Sequence, residues 1–218
     1  MSITRFADRR EAGRLLAQEL LKMGLENPVV LALPRGGVPL GYEVARALNA
    51  PLDILMVRKI GAPGHEEYGI GALVDGASPQ VLIDHDAARM VGADEAYIER
   101  QIARQLAEIE RRRALYCSAP PIQLKDRVIV VVDDGIATGG TVRAALQALA
   151  KSQAGAVILA VAVAPRSTLK ELAPMCDQIV CLMTPEPFYA VGAHYADFGQ
   201  TDDAEVVRLL SAAQAWNP

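Results

Sequence analysis

The chain has 218 residues, 51% of them hydrophobic, and a formal net charge of −4. That length and apolar fraction suit one domain spanning residues 1–218 with a sizeable core, and the acidic balance, with a sequence pI of about 5.4, leaves no default attraction to nucleic acid. The longest apolar run, Ala154–Ala164, is strand-length rather than membrane-spanning, Met1–Arg10 is too polar for a secretory leader, and Cys117, Cys176 and Cys181 lack metal-ligand spacing and read as reduced thiols of a cytoplasmic protein.

In chain order, Asp8-x-x-Glu11 opens a helix as a capping box. Ala12, Leu15, Leu16, Leu20 and Met23 follow at helical spacing, and Gly24 stops the helix. Val29–Leu33 is a short apolar strand leading into Pro34-Arg35-Gly36-Gly37-Val38-Pro39-Leu40-Gly41, with a helix over Tyr42–Leu48. The paired glycines let backbone approach a ligand, and Arg35 can bridge phosphate oxygens; a plain turn with a solvated arginine fits the same residues. Leu52–Val57 is the next strand, ending on Arg58 and Lys59. Residues 60–71 hold Gly61, Gly64, Gly69 and Gly71 beside Pro63, His65, Glu66, Glu67 and Tyr68. This span is too glycine-rich for a helix and long for a plain connection, so it reads as a mobile or functional loop, or else a surface hairpin. Ala72–Val74 and Gln80–Ile83 read as a hairpin and Asp84-His85-Asp86 as a surface turn. Ala93–Tyr116 is a long inserted helix with the stripe Ile98, Ile102, Leu106 and Ile109. Its late Arg111, Arg112 and Arg113 suit the macrodipole and read as a solvated face or a dimer contact.

The stretch that organises the chain comes next. Val128–Val132 is five β-branched residues, a buried parallel strand. Asp133 and Asp134 follow at its carboxyl end, then Gly135-Ile136-Ala137-Thr138-Gly139-Gly140-Thr141, then a helix from Val142 to Leu149. A glycine-rich turn feeding a helix start presents N–H groups and a positive dipole end to an anion, and Thr138 and Thr141 add hydroxyl donors. The two acids accept hydrogen bonds and suit a polyhydroxyl group beside that anion. Phosphate next to vicinal hydroxyls describes a sugar phosphate. The spacing is neither a Walker A loop nor a dinucleotide fingerprint.

Beyond it, Ala156–Val163 is an apolar strand, Leu169–Ala173 a short helix and Gln178–Leu182 another strand, an alternation that gives a parallel sheet with helices on its faces. Residues 184–201 gather Phe188, Tyr189, Tyr195 and Phe198 in a chain that is only 5% aromatic. Flat rings with interleaved polar groups suit a planar heterocycle, and equally a satellite core. Asp202–Ala213, capped by Asp202 with Glu205 at N3, is the last helix.

The apolar strand, paired acids and Thr-Gly-Gly-Thr loop resemble the 5-phosphoribosyl 1-pyrophosphate (PRPP) motif of type I phosphoribosyltransferases. Pro34–Pro39, Arg58–Gly64 and Tyr195-Ala-Asp-Phe-Gly-Gln-Thr201 resemble a bacterial branch of that family. The resemblance implies an α/β fold, a Rossmann-like parallel sheet flanked by helices, with its core at about 29–182, a flexible loop at about 60–71 that closes over the site, and hood elements at about 184–201. It implies transfer of ribose 5-phosphate from PRPP to a nitrogenous base or similar nucleophile, with pyrophosphate released. Ala137, Thr138, Gly139, Gly140 and Thr141 would then hold the 5′-phosphate, Asp133 and Asp134 the ribose hydroxyls, and Arg35, Gly36, Gly37, Arg58 and Lys59 the pyrophosphate. A strained, often cis, peptide in the pyrophosphate loop would fall at Arg35–Gly36. Glu66 or Glu67 would be the base, and Phe188, Tyr189, Tyr195 and Phe198 would face the acceptor. Mg²⁺ would be held mainly by PRPP, with no direct protein ligand, and the family habit is a homodimer.

One departure bears on the acceptor. Ala137 stands where 6-oxopurine transferases carry an Asp, a pattern that looks like adenine phosphoribosyltransferase and argues against hypoxanthine or guanine. The same motifs would also serve a non-catalytic PRPP or nucleotide sensor, or a hydrolase or phosphorolase of a ribosylated compound.

Overall fold

The computed structural model describes residues 5–76, 79–117 and 119–216, without the side chains of residues 66 and 67. Five strands form a parallel sheet: β1 (Pro28–Ala32), β2 (Leu52–Ile54), β6 (Val128–Asp133), β7 (Ala156–Val163) and β8 (Gln178–Met183), in the order β2-β1-β6-β7-β8. Apart from Asp53, Asp133 and Gln178 their residues are apolar, because both faces are covered. Val30, Ala32, Val130, Val132 and Ala160 face one layer, with α1 (Arg9–Leu21), α2 (Gly37–Leu48) and α7 (Asp203–Ala213). Val29, Leu31, Ile129, Val131 and Leu159 face the other, with α5 (Gly140–Leu149) and Leu172 of α6 (Arg166–Leu172). Both helix N-caps form: Asp8 accepts from the Glu11 N–H at 2.8 Å and Asp202 from the Glu205 N–H at 2.7 Å.

This topology decides where a ligand can sit. From β1 the chain crosses by α2 to β2 on one side, and β6 lies on the other side of β1, followed by α5 on the opposite face. Neighbouring strands whose helices leave to opposite faces open a crevice at their carboxyl ends. The turns after β1 and β6 are the two glycine-rich motifs.

A second, antiparallel sheet, β3 (Val57–Ala62), β4 (His65–Val74) and β5 (Gln80–Ile83), stands above this crevice. It carries the short helix α3 (His85–Met90), capped by Asp84, and packs with α4 (Glu95–Tyr116) around Ile60, Ile70 and Ala88. Three expectations are decided here. Of the two readings of residues 60–71, a mobile loop or a hairpin, the structure has the hairpin, β3–β4, turning at Pro63–Gly64. Two of its glycines serve close packing: a Cβ at Gly71 would lie 2.4 Å from the Leu82 carbonyl oxygen, and one at Gly69 3.1 Å from the Lys59 stem. The strand from Leu52 ends at Ile54, so Arg58 and Lys59 belong to β3. The turn at His85 is the first residue of a helix.

Arg113 is the third arginine of the run read as a solvated face, and it is a buried joint. It makes a bidentate pair with Asp53 (2.8 and 2.7 Å) and a 2.7 Å bond to Asp75. Met56 and Asp75, where the chain enters and leaves β3–β4, bond each other: the Met56 N–H donates to Asp75 Oδ1 and the Asp75 N–H to the Met56 carbonyl. One guanidinium therefore pins the small sheet to the large one. Arg111 and Arg112 both pair with Glu108 on the helix surface.

Candidate active site

The site is built from the ends of β1 and β6. After β6, Asp134 points back at the β1 turn, where Gly36 makes room for it: a Cβ at Gly36 would lie 2.2 Å from Asp134 Oδ2. Gly37 is as tightly placed, its missing Cβ falling 2.6 Å from the Val132 carbonyl oxygen. The two motifs are thus packed through glycines that only contact can explain. Gly36 is the N-cap of α2, which begins earlier than its periodicity suggests because Pro39 is tolerated in a first turn. The cis peptide in this turn is Pro34–Arg35, one bond before the expected Arg35–Gly36. Gly36 has right-handed helical dihedrals at the helix start.

Asp133 lies deeper. Burial, and then the neighbouring Asp134 carboxylate, push its carboxyl well above the ordinary aspartate range, and Arg9 pulls the other way. Past the acids, Gly139 takes a left-handed φ of 78° and caps α5 without a side chain. A side chain there would also meet Thr168 Cγ2 at 2.8 Å, and the Thr168 hydroxyl donates to the Ala137 carbonyl, holding the loop from behind. Ala137, Thr138, Gly140 and Thr141 are exposed, so the positive end of α5 faces outward over open residues.

Three clefts meet here, and Thr141 lines all of them. The first, ~330 Å³, holds Arg35, Gly36, Asp133 and Asp134 together with Arg9, Gln200 and Thr201. The second, ~140 Å³, holds Pro34, Arg58, Arg112 and Tyr116. The third, ~1160 Å³, runs between α5 and the small sheet and holds Lys59, Thr138, Gly140 and Arg143. Consecutive strand residues point to opposite faces, so Arg58 and Lys59 reach different clefts rather than acting as one cationic pair. Arg58 donates to Gln105 Oε1 at 3.0 Å. Arg35 lies 3.5 Å from Asp203, which also accepts the Tyr116 hydroxyl. The side chains of Glu66 and Glu67 lie outside the described residues.

The four hood aromatics do not form one wall. Tyr195 is fully buried between Phe6 and Phe198, with ring centroids at 5.2 and 5.0 Å, and its hydroxyl donates to the Asp134 carbonyl at 2.5 Å. It braces the acid pair from inside and offers no ring face to an acceptor; burial raises its phenol further above the usual range. Phe198 has Arg9 lying over its ring at 3.9 Å. Phe188 stacks on His194, and Tyr189 is 82% exposed. The cysteines take no part: burial pushes Cys117 up to about 12 and Cys181 up to about 11, so both are protonated at neutral pH.

Arg9 is the residue that sequence reasoning missed. It starts α1, and its Nε–H donates to Asp134 Oδ2 at 2.7 Å. Its Nη1 donates to the Gly199 carbonyl at 2.6 Å. It carried no signal beyond its charge, because its partner lies 125 residues away.

A parallel sheet whose switch-point crevice carries an acid pair and an open phosphate-type helix start defines a phosphoribosyltransferase-type α/β protein. The phosphoribosyl transferase domain model matches residues 4–184, and the chain belongs to that family. Proteins from two Mycobacterium tuberculosis strains (CDC 1551 / Oshkosh and H37Rv), provisionally named phosphoribosyl transferases, are 43% identical over 209 residues, 95% of this chain and 47% of theirs. The chain thus spans about half the length of those relatives. The crystal structure of TT1426 from Thermus thermophilus is 43% identical, with a TM-score of 0.80 over 94% of this chain and 97% of that one. A Neisseria gonorrhoeae protein solved with bound ppGpp shares the fold at 15% identity, with a TM-score of 0.50 over 97% of this chain and 98% of that one. Among the described residues, no helix is long and apolar enough to cross a membrane.

Proposed function

We propose that the protein transfers ribose 5-phosphate from PRPP to a ring nitrogen of a heterocyclic base. The observation that carries this reading is the shared cleft: the acid pair, Pro34, Arg35 and Gly36 of the β1 turn, and Thr141 at the start of α5 line one cavity. A sugar with a phosphate on one side and a diphosphate on the other needs acceptors between two anion sites. In this reading Ala137–Thr141 grip the 5′-phosphate through backbone N–H groups and hydroxyls. Asp133 and Asp134 accept the ribose hydroxyls. Arg35, with Gly36 and Gly37, takes the pyrophosphate, and Arg58 and Lys59 approach it from different clefts. Phe188 and Tyr189 are the hood rings left to face the acceptor.

The acceptor nitrogen attacks C1 of the ribose as the C1–O bond to pyrophosphate breaks, and the bonding electrons leave with pyrophosphate. The proton lost by the acceptor passes to a base, for which Glu66 and Glu67 are the candidates. The chain's task is to hold C1 in line, spread charge over the leaving group and keep water out. With a guanidinium already seated on Asp134, the acid pair suits sugar hydroxyls better than a metal cage. Mg²⁺ would ride on pyrophosphate and sugar oxygens with its own waters and supply counter-charge to the leaving group.

The test is pyrophosphate release from PRPP and Mg²⁺ across a panel of nucleobases. Release should depend on one acceptor class and should disappear in Asp133→Asn/Asp134→Asn. Release at equal rates without any acceptor would make the protein a hydrolase. Tight PRPP binding with no release for any base would make it a sensor.

A further inference from the structure

Asp134 is held from two sides by parts of the chain far from it in sequence. Gly36 leaves the carboxylate its space, and Arg9 makes a 2.7 Å charge-assisted bond to Oδ2. Both partners of that bond are largely enclosed, at 12% and 13% exposed. The same guanidinium bonds the Gly199 carbonyl and covers the Phe198 ring, so its position is set by three contacts rather than by Asp134 alone. Charged side chains this enclosed are rarely left to chance.

We infer that Arg9 is a positioning residue for the sugar-binding acids: its guanidinium supplies the counter-charge for Asp134 and fixes its carboxylate so that both acids accept from one sugar. This deepens the donor-site reading and rests on it. The reason is electrostatic. Two adjacent carboxylates in a partly closed cleft repel each other, and the pair takes up a proton unless a cation offsets it. A protonated carboxyl is a poor acceptor for a sugar hydroxyl. Burial already favours that proton on Asp133. The charged and titratable groups facing the pair are Arg9 from α1, Arg35 from the β1 turn, itself paired with Asp203, and the Tyr195 phenol, which bonds the Asp134 carbonyl. Of these, Arg9 alone makes an ion pair with either acid among the described residues.

The test uses Arg9→Met and Arg9→Lys with two readouts on the folded protein. Carboxyl-carbon NMR titration of the aspartates, without ligand, reports the acid pair directly. Losing an opposite charge at this range should raise the pair's apparent midpoint by ~1–3 pH units in Arg9→Met, and Arg9→Lys should restore most of it. Calorimetry with PRPP and Mg²⁺ should show Arg9→Met weakened ~10- to 100-fold near pH 6.5, with much of the loss recovered near pH 9. If wild-type protein binds no PRPP while the NMR midpoint still moves, the donor reading fails and Arg9's control of the acids stands. An unmoved midpoint, or a loss of affinity equal at both pH values, would make Arg9 a structural strap and overturn the inference.

Discussion

Gly36→Ala should cost the protein ~100-fold or more in PRPP affinity while leaving a cooperatively folded chain. Gly36 has φ −60° and ψ −34°, dihedrals that alanine adopts freely, so the backbone does not object. The obstacle is Asp134, whose Oδ2, Cγ and Oδ1 would lie 2.2, 2.6 and 3.0 Å from the new methyl group. The carboxylate cannot yield by a small shift, because Arg9 holds its outer oxygen and Tyr195 holds its backbone carbonyl. It must rotate out of place, and a displacement of about 1 Å in a binding constellation can cost about 10²-fold. Overpacking of this kind destabilises by about 1–3 kcal/mol, or a Tm shift of about 2–12 °C at this chain length. Calorimetric titration beside a melting curve separates the two effects. Affinity within threefold of wild type would show that the contact between the two glycine-rich motifs does not set the acid's position.

Arg113→Met should produce the largest loss of stability. Arg113 is 14% exposed and its partners Asp53 and Asp75 are 9% and 2% exposed, so the variant strands two acids in a dry joint. Removing one partner of a buried pair costs about 3–5 kcal/mol, equivalent to about 6–20 °C in Tm. The loss should depend on pH. Burial raises the Asp75 carboxyl from 3.8 to about 6, against the pull of Arg113. A carboxyl raised on folding contributes stability at low pH that is lost as pH rises through the folded value. Without Arg113 that rise continues further. The variant's deficit should therefore be smaller at pH 5, where Asp75 can take a proton, than at pH 8. Denaturant melts at both values measure it; equal deficits would mean that the stranded charge is not what destabilises the joint.

Arg9 and Arg113 also mark what a single sequence can and cannot reveal. Val128–Thr141 was legible because strand, acids, loop and helix start are contiguous, and each residue type has a local reason to be there. The N-caps Asp8 and Asp202 are legible on the same ground. Arg9 and Arg113 looked like any surface cation, since what defines them is a carboxylate brought in by tertiary folding from 125, 60 and 38 positions away. For residues 60–71 the sequence leaves a mobile loop and a surface hairpin both open, because glycines signal looseness, whereas Gly69 and Gly71 lie against the Lys59 stem and the Leu82 carbonyl. Tyr195 was grouped with the hood rings by composition, and only packing against Phe6, far off in sequence, places it in the core. Of the small sheet, the pairing of Ala72–Val74 with Gln80–Ile83 is legible, whereas the alternation of Ile60, Ala62 and Ile70 with polar residues is broken by those same glycines.

The crevice between β1 and β6 is proposed as a PRPP site. Calorimetric titration of PRPP with Mg²⁺ into wild-type protein and into Asp133→Asn/Asp134→Asn tests it most directly. Wild-type protein should bind one PRPP saturably, and the double variant, while still unfolding cooperatively, should bind none. Absence of binding by folded wild-type protein, or equal binding by the double variant, would contradict it.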